Sequence, residues 1–387
     1  MEQLDTFQTL LIASSLDGGR DIPRGLIENL LKYVTPLPNV HLDNFVLSKK
    51  IDFIVDEVTA VALSPTNKYA FAGLLSGSMF LVNLEKGDRF LFAEAHRSMI
   101  NSVDVSDTGI VVSGSDDGTA KVWEVRTLKC TKTLKEHLAA VNIVKLSAKG
   151  DRVFTGSVDK TIIMWRLDGI LVRHFVESDS RVLSLDVFND NNRLLSTAYR
   201  SLIVWNVRTE RRISVIPMAG DEMGTVNSVK ISPDQSVVAV AWGDFRIKLL
   251  SPVNFEVIRT ITGVQHVTKI LFDPSGSQLF LAKSANSHAA VLDIETGKVV
   301  RYFSPREQDK WGAEKGIALS QDGSKMAIID SKYAFSVYSH VSAFLTNFNT
   351  LQVSQIAARK TEDEGVVLPR AIVDVIGKYN VDLLKKN

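Results

Sequence analysis

The chain has 387 residues, 45 Lys+Arg against 44 Asp+Glu, and a formal net charge of +1. Its 45% hydrophobic and 23% charged content excludes global disorder, and the near-neutral balance argues against a surface built for nucleic acid. A single cysteine, Cys130, excludes an intrachain disulfide framework and a thiolate metal cluster.

At the N-terminus, Met1 to Asp5 is acidic where a secretory leader is basic, and no stretch approaches about 18 uncharged apolar residues. A cytoplasmic or nuclear protein with no membrane span is expected. The lack of an Asn-x-Ser/Thr sequon agrees with that expectation. Residues 1–44 read as a helical flank. Pro23 stands near the first helical turn, where its missing N–H costs nothing, and Leu26, Ile27, Leu30, Leu31 and Val34 share one apolar face. Phe45-Val46-Leu47-Ser48 then reads as a strand.

From there one phrase recurs: an alternating apolar strand, a polar turn and further short strands. The first strand of each copy ends at Ser64, Ser106, Ser147, Phe188, Ser232, Asp273 and Ser320, positions 41 to 47 residues apart. Turn residues follow in the later copies, as in Asp107-Thr108-Gly109, Lys149-Gly150-Asp151 and Gln321-Asp322-Gly323. Seven copies of a three- or four-stranded unit about 40 residues long read as the blades of a β-propeller.

The second copy contains His96, then Ser113-Gly114-Ser115-Asp116-Asp117 and Trp123. The third contains His137, then Thr155-Gly156-Ser157-Val158-Asp159 and Trp165. In both, Asp precedes Trp by six residues and His lies ten before the strand end. These copies resemble WD repeats, and the resemblance spans roughly residues 45–350. It implies an all-β, seven-bladed WD-repeat propeller with short helical N- and C-terminal flanks. Departures are visible too. No Trp precedes an Asp, the fourth copy keeps Ser196 and Trp205 without the Asp, and Val82, Leu250, Leu292 and Tyr338 stand where Trp is expected.

The resemblance implies a buried hydrogen-bonded chain of His96, Ser113, Asp117 and Trp123, repeated as His137, Thr155, Asp159 and Trp165. A buried carboxylate and a buried indole N–H both need such partners. The same residue types also make up a nucleophile triad; their recurrence in a second blade favours the structural role. No catalytic residue, metal ligand or cofactor is expected, since no His-Glu-x-x-His, paired-His or Cys-x-x-Cys pattern occurs.

In the resembled family, partners bind a face made by inter-blade loops and second hairpin turns. Candidates there are Arg97, Met99, Asp116, Tyr199, Arg200 and Trp242. A loop over 304–314 adds Arg306, Lys310 and Trp311, and exposed Trp and Arg are frequent binding hot spots. Trp311 tucked against its own loop, Trp242 capping the strand interior and the arginines acting as scattered solubilising charges are the competing readings.

Two segments compete to close the last blade: Phe45 to Ser48, which we favour, and Phe344 to Phe348. Residues 351–387 read as a linker and a C-terminal helix. Leu368-Pro369-Arg370 there echoes Ile22-Pro23-Arg24, with Ile372, Val373, Ile376 and Tyr379 on one face. Leu26, Leu30, Ile372 and Ile376 are candidate docking positions, or the two helices simply cap the ring. Their spacing resembles the opening of F-box-like adaptor motifs. The expected function is a protein-interaction scaffold within a multiprotein complex, with a substrate-recruiting ubiquitin-ligase adaptor as the alternative. Partner identity and oligomeric state are not legible.

Overall fold

The computed structural model describes residues 45–340 apart from 54–55, 93–95, 177–179, 218–224, 243–244, 265–266, 284–288, 304–315 and 332. The two predicted flanks, with Leu26, Leu30, Ile372 and Ile376, lie outside the described residues, as does Phe344 to Phe348. So do Arg306, Lys310 and Trp311.

Among the described residues, 28 strands form seven four-stranded antiparallel sheets, and no helix is long and apolar enough to cross a membrane. This is the seven-bladed propeller expected from the repeat. The inner strands are Val58–Leu63, Ile100–Val105, Val141–Leu146, Leu185–Val187, Val226–Ile231, Val267–Phe272 and Ile317–Leu319. Each stops one residue before the strand end read from the sequence.

The turns explain that regularity. Three residues beyond each of those ends stand Asn67, Gly109, Gly150, Asn191, Gln235, Gly276 and Gly323, all with φ between 53° and 79°. A left-handed residue reverses the chain there, which glycine and asparagine supply at least cost. In each, its N–H returns to the carbonyl three residues earlier, as from Gly109 to Ser106 at 3.2 Å.

Apolar side chains pack in slabs between neighbouring blades. Val112, Val122 and Trp165, for example, share one slab with Val141 and Val144, while Phe188, Leu195 and Trp242 share another with Val226. Blades approach closely where glycine permits it. A Cβ on Gly73, Gly114 or Gly156 would stand 2.5 to 2.7 Å from a side-chain carbon of Ile100, Val141 or Val182 in the next blade.

The ring closes through the N-terminal strand. The last sheet runs Phe45–Asp52, Ala334–His340, Lys325–Ser331, Ile317–Leu319, so its outer strand precedes the first blade in sequence. Phe45 pairs with His340 and is fully buried, its ring edge-on to Phe280 of the sixth blade at 5.7 Å. Closure of this kind ties the two ends of the propeller and covers a strand edge. The seven inner strands surround a central channel of about 1180 Å³.

Candidate functional site: a buried relay beneath a loop face

In the second blade, strands Ile110–Ser115 and Ala120–Glu124 pair so that Val111 lies opposite Trp123. Ser113 Oγ accepts the Trp123 indole N–H at 2.8 Å and lies 2.7 Å from His96 Nε2. His96 Nδ1 is 3.0 Å from Asp117 Oδ2. The third blade repeats the set. Trp165 donates to Thr155 Oγ1 at 2.9 Å, and His137 spans Thr155 and Asp159 at 2.8 and 2.9 Å.

The partners fix the tautomer. The Asp117 carboxylate can only accept, which puts the proton of a neutral imidazole on Nδ1 and leaves Nε2 to accept the Ser113 hydroxyl proton. The imidazole then carries its own proton on Nδ1 and gives it to Asp117. Trp, Ser, neutral His and Asp form one directional relay. Burial pushes His137 below its usual value, against the attraction of Asp159. Burial acts to raise Asp117, but hydrogen bonds from His96, Thr119 and the Arg97 N–H outweigh it and hold its carboxyl below the usual carboxylate range. Asp159 is lowered in the same way, burial again being overcome by donors from Thr161, the Leu138 N–H and His137.

The relay anchors the loops at one end of the ring. Asp117 accepts the N–H of Arg97, and Asp159 that of Leu138, the residues that follow each histidine. Ser115 and Ser157 hydroxyls hold the carbonyls of Ser98 and Ala139. Asp116 N–H reaches Met99 O, and its carboxylate accepts from Asn101 at 2.6 Å. Arg97 and Asp116 are exposed, whereas Met99 is half-buried.

The fourth blade keeps the Trp205 to Ser196 bond, at 2.9 Å. In the first, fifth, sixth and seventh blades the tryptophan position holds Val82, Leu250, Leu292 or Tyr338, opposite Ala70, Val238, Leu279 and Met326. The Ser113 position in those blades holds Ala72, Val240, Leu281 and Ile328. In the first, fifth and sixth blades donor and acceptor leave together, so neither is stranded in the core.

Tyr199 and Arg200 occupy the corresponding turn of the fourth blade. Tyr199 is 52% exposed, with the Arg200 guanidinium 5.9 Å from its ring centre. Trp242 requires a correction. It is 2% exposed and packs among Phe188, Leu202 and Val226, so it is a core residue and offers nothing to a partner. It ends strand Val238–Trp242, at the position that Ser115 fills in the second blade. Sequence reasoning also missed Leu138, 93% exposed beside Asp159. Its signal was available, because the residue after a relay histidine must stand on the loop face. Among the described residues no group of His, Cys, Asp or Glu could hold a metal ion.

Residues 89–124 and 128–166 match the family described as "WD domain, G-beta repeat". Autophagy-related protein 16 of Arabidopsis thaliana is 26% identical over 210 residues, or 53% of this chain and 41% of that protein. Apoptotic protease-activating factor 1 of Homo sapiens is 24% identical over 66% of this chain and 21% of its own length. DDB1- and CUL4-associated factor 13 of Xenopus tropicalis is 21% identical over 52% of this chain and 46% of its own. The chain spans less than half the length of each of these curated relatives.

Proposed function

Since the chain belongs to the WD-repeat β-propeller family, we propose that it works as a non-enzymatic scaffold whose loop face receives protein partners. One observation carries this reading. The first residue of the second hairpin turn is an exposed apolar side chain in three blades: Leu75 (46%), Val158 (38%) and Tyr199 (52%). Leu138 stands on the same face, and Arg97, Asp116 and Arg200 supply charge around these apolar side chains. Their backbone is already held, by Leu75 N–H on Glu57 O, Val158 N–H on Ala140 O and the Val226 N–H on Tyr199 O, so docking orders little new structure.

The arrangement of His96, Ser113 and Asp117 copies the order of a hydrolytic triad, but its nucleophile position is closed. Ser113 is fully buried and one of its lone pairs is taken by the Trp123 indole. A working nucleophile must reach a substrate carbonyl. An intracellular setting belongs to the same reading, since Cys130 is a free thiol.

Photo-crosslinking in cells tests the scaffold. A crosslinker placed at Leu138 should capture a defined set of proteins that is lost in the Tyr199→Ala, Arg200→Glu variant. Equal capture from Lys149, at an inner-strand turn on the opposite end, sinks the reading.

The match to a protein named for association with DDB1 and CUL4 favours a second reading, a substrate-recruiting ubiquitin-ligase adaptor. Its test is a pull-down of a cullin ligase core with the full chain. Capture must depend on Leu26 and Leu30; a chain that recovers no ligase core ends this alternative.

A further inference from the structure

The inner strands place charged side chains in the central channel in a definite order. Asp104, Lys145, Asp186 and Lys230 occupy the same position on the second to fifth blades. They pair two by two: Lys145 Nζ lies 3.2 Å from Asp104, and Lys230 Nζ lies 3.3 Å from Asp186. Each aspartate also accepts a backbone N–H from the next blade, Leu146 for Asp104 and Ile231 for Asp186, at 2.8 and 3.0 Å. These carboxylates are therefore anchored to the wall and already shared. On the remaining blades the same position holds Ala62, Leu271 and Ala318, so that side of the channel is apolar.

Lys269, on the sixth blade, stands two residues nearer the loop face than that charged ring. It lines the same channel, and among the described residues no carboxylate lies at ion-pair distance from it. Lys269 is half-buried, and an ammonium group partly withdrawn from water without a counter-charge is costly. Burial, and then repulsion from Lys230 and Lys145 that Asp104 only partly offsets, push its pKa down to about 8. Within the channel Lys145 and Lys230 are thus paired with Asp104 and Asp186, and Lys269 has no ion-pair partner among the described residues.

We propose that the channel binds a small phosphate-class oxyanion, held by Lys269 and flanked by Lys230 and Lys145. A compact tetrahedral oxyanion offers several acceptors to lysines that line one channel from the third, fifth and sixth blades. Entering from the loop end, it meets Lys269 before the paired ring. Free phosphate and the phosphate groups of a small polyol share this chemistry.

Isothermal titration of the full chain at pH 7 in low salt, with inorganic phosphate in one arm and inositol hexakisphosphate in the other, tests the site. One saturable site for at least one probe is expected. Saturation by phosphate identifies the free anion as sufficient, and saturation by the hexakisphosphate alone identifies the polyol ester as the source. Lys269→Met should weaken binding at least tenfold, Lys269→Arg should keep it, and Lys86→Met, on an exposed turn, should leave it unchanged. Absence of saturation with both probes, or wild-type affinity in Lys269→Met, overturns the proposal. If Lys269→Met does not fold, carbon NMR of the methylated wild-type lysines decides. The Lys269 signal must titrate at higher pH when probe is present; a signal that saturating probe leaves unmoved overturns the site.

Discussion

The indole nitrogen of Trp123 and the hydroxyl of Ser113 meet at 2.8 Å with both side chains completely enclosed. Ser113→Val removes both the acceptor of the indole N–H and the donor to His96 Nε2. A buried group left unmade costs about 1–3 kcal/mol. The unfolding free energy from urea titration should therefore fall by about 2 kcal/mol or more at an unchanged denaturant slope. In the double variant Ser113→Val, Trp123→Leu, which imitates the Val240 and Leu250 pair of the fifth blade, the stranded indole is gone. Its loss should be smaller than the sum of the two single losses. Strict additivity would show that the two side chains act independently.

Acid should weaken the fold in two stages. His137 is lowered in the folded state, so the unfolded chain takes up its proton first as pH falls through about 6.5, and stability drops from there. Asp117 and Asp159 are also lowered when folded, so their contribution is complete above about pH 4 and lost below it. Urea midpoints should thus be highest near pH 7.5, lower at 5.5 and lower again at 3.5. His137→Gln should flatten the step between 7.5 and 5.5; if that step survives in the variant, another group is responsible.

Gly114 is fixed by its neighbour rather than by its own backbone. A methyl group there meets Val141 Cγ1 at 2.7 Å and Val144 Cγ1 at 2.8 Å. Gly114→Ala should destabilise by about 1–3 kcal/mol, the range for overpacking a filled core. Relief by a second change, Val141→Ala, is expected in thermal unfolding, and its absence would place the strain elsewhere.

Phe45 holds the ring shut from a strand that enters from outside the repeat. Phe45→Ala should cost about 3–5 kcal/mol, as for other fully enclosed aromatics. Deleting residues 1–52 should go further, since strand Ala334–His340 then presents a bare edge. Light scattering should report concentration-dependent association of that truncated chain. A soluble, monomeric truncated chain would mean that the last blade does not need its N-terminal strand.

The turns were the most legible part of this chain, because a left-handed residue is required four positions past the end of every inner strand. Glycine or asparagine fills that place in six blades, and Gln235 is the exception. Trp123 and Trp165 were legible as relay members because the partners they need sit at fixed offsets within one blade. Trp242 was not, for a physical reason. Both faces of a blade are covered by neighbouring blades, so period-2 alternation cannot say which side of a strand is wet. The channel charges escaped for another reason. Asp104, Lys145, Asp186 and Lys230 are each an ordinary residue in their own repeat, and meet only across blades 41 to 44 residues apart.

Pairing of Phe45–Asp52 with Ala334–His340 also sets a timetable. At roughly 5–20 residues per second, a ribosome needs about 15–60 s to make the chain between these two partners. Throughout that interval Phe45–Asp52 waits for its partner strand while the blades between them are made. The earliest-made of the described strands is therefore the last to be paired.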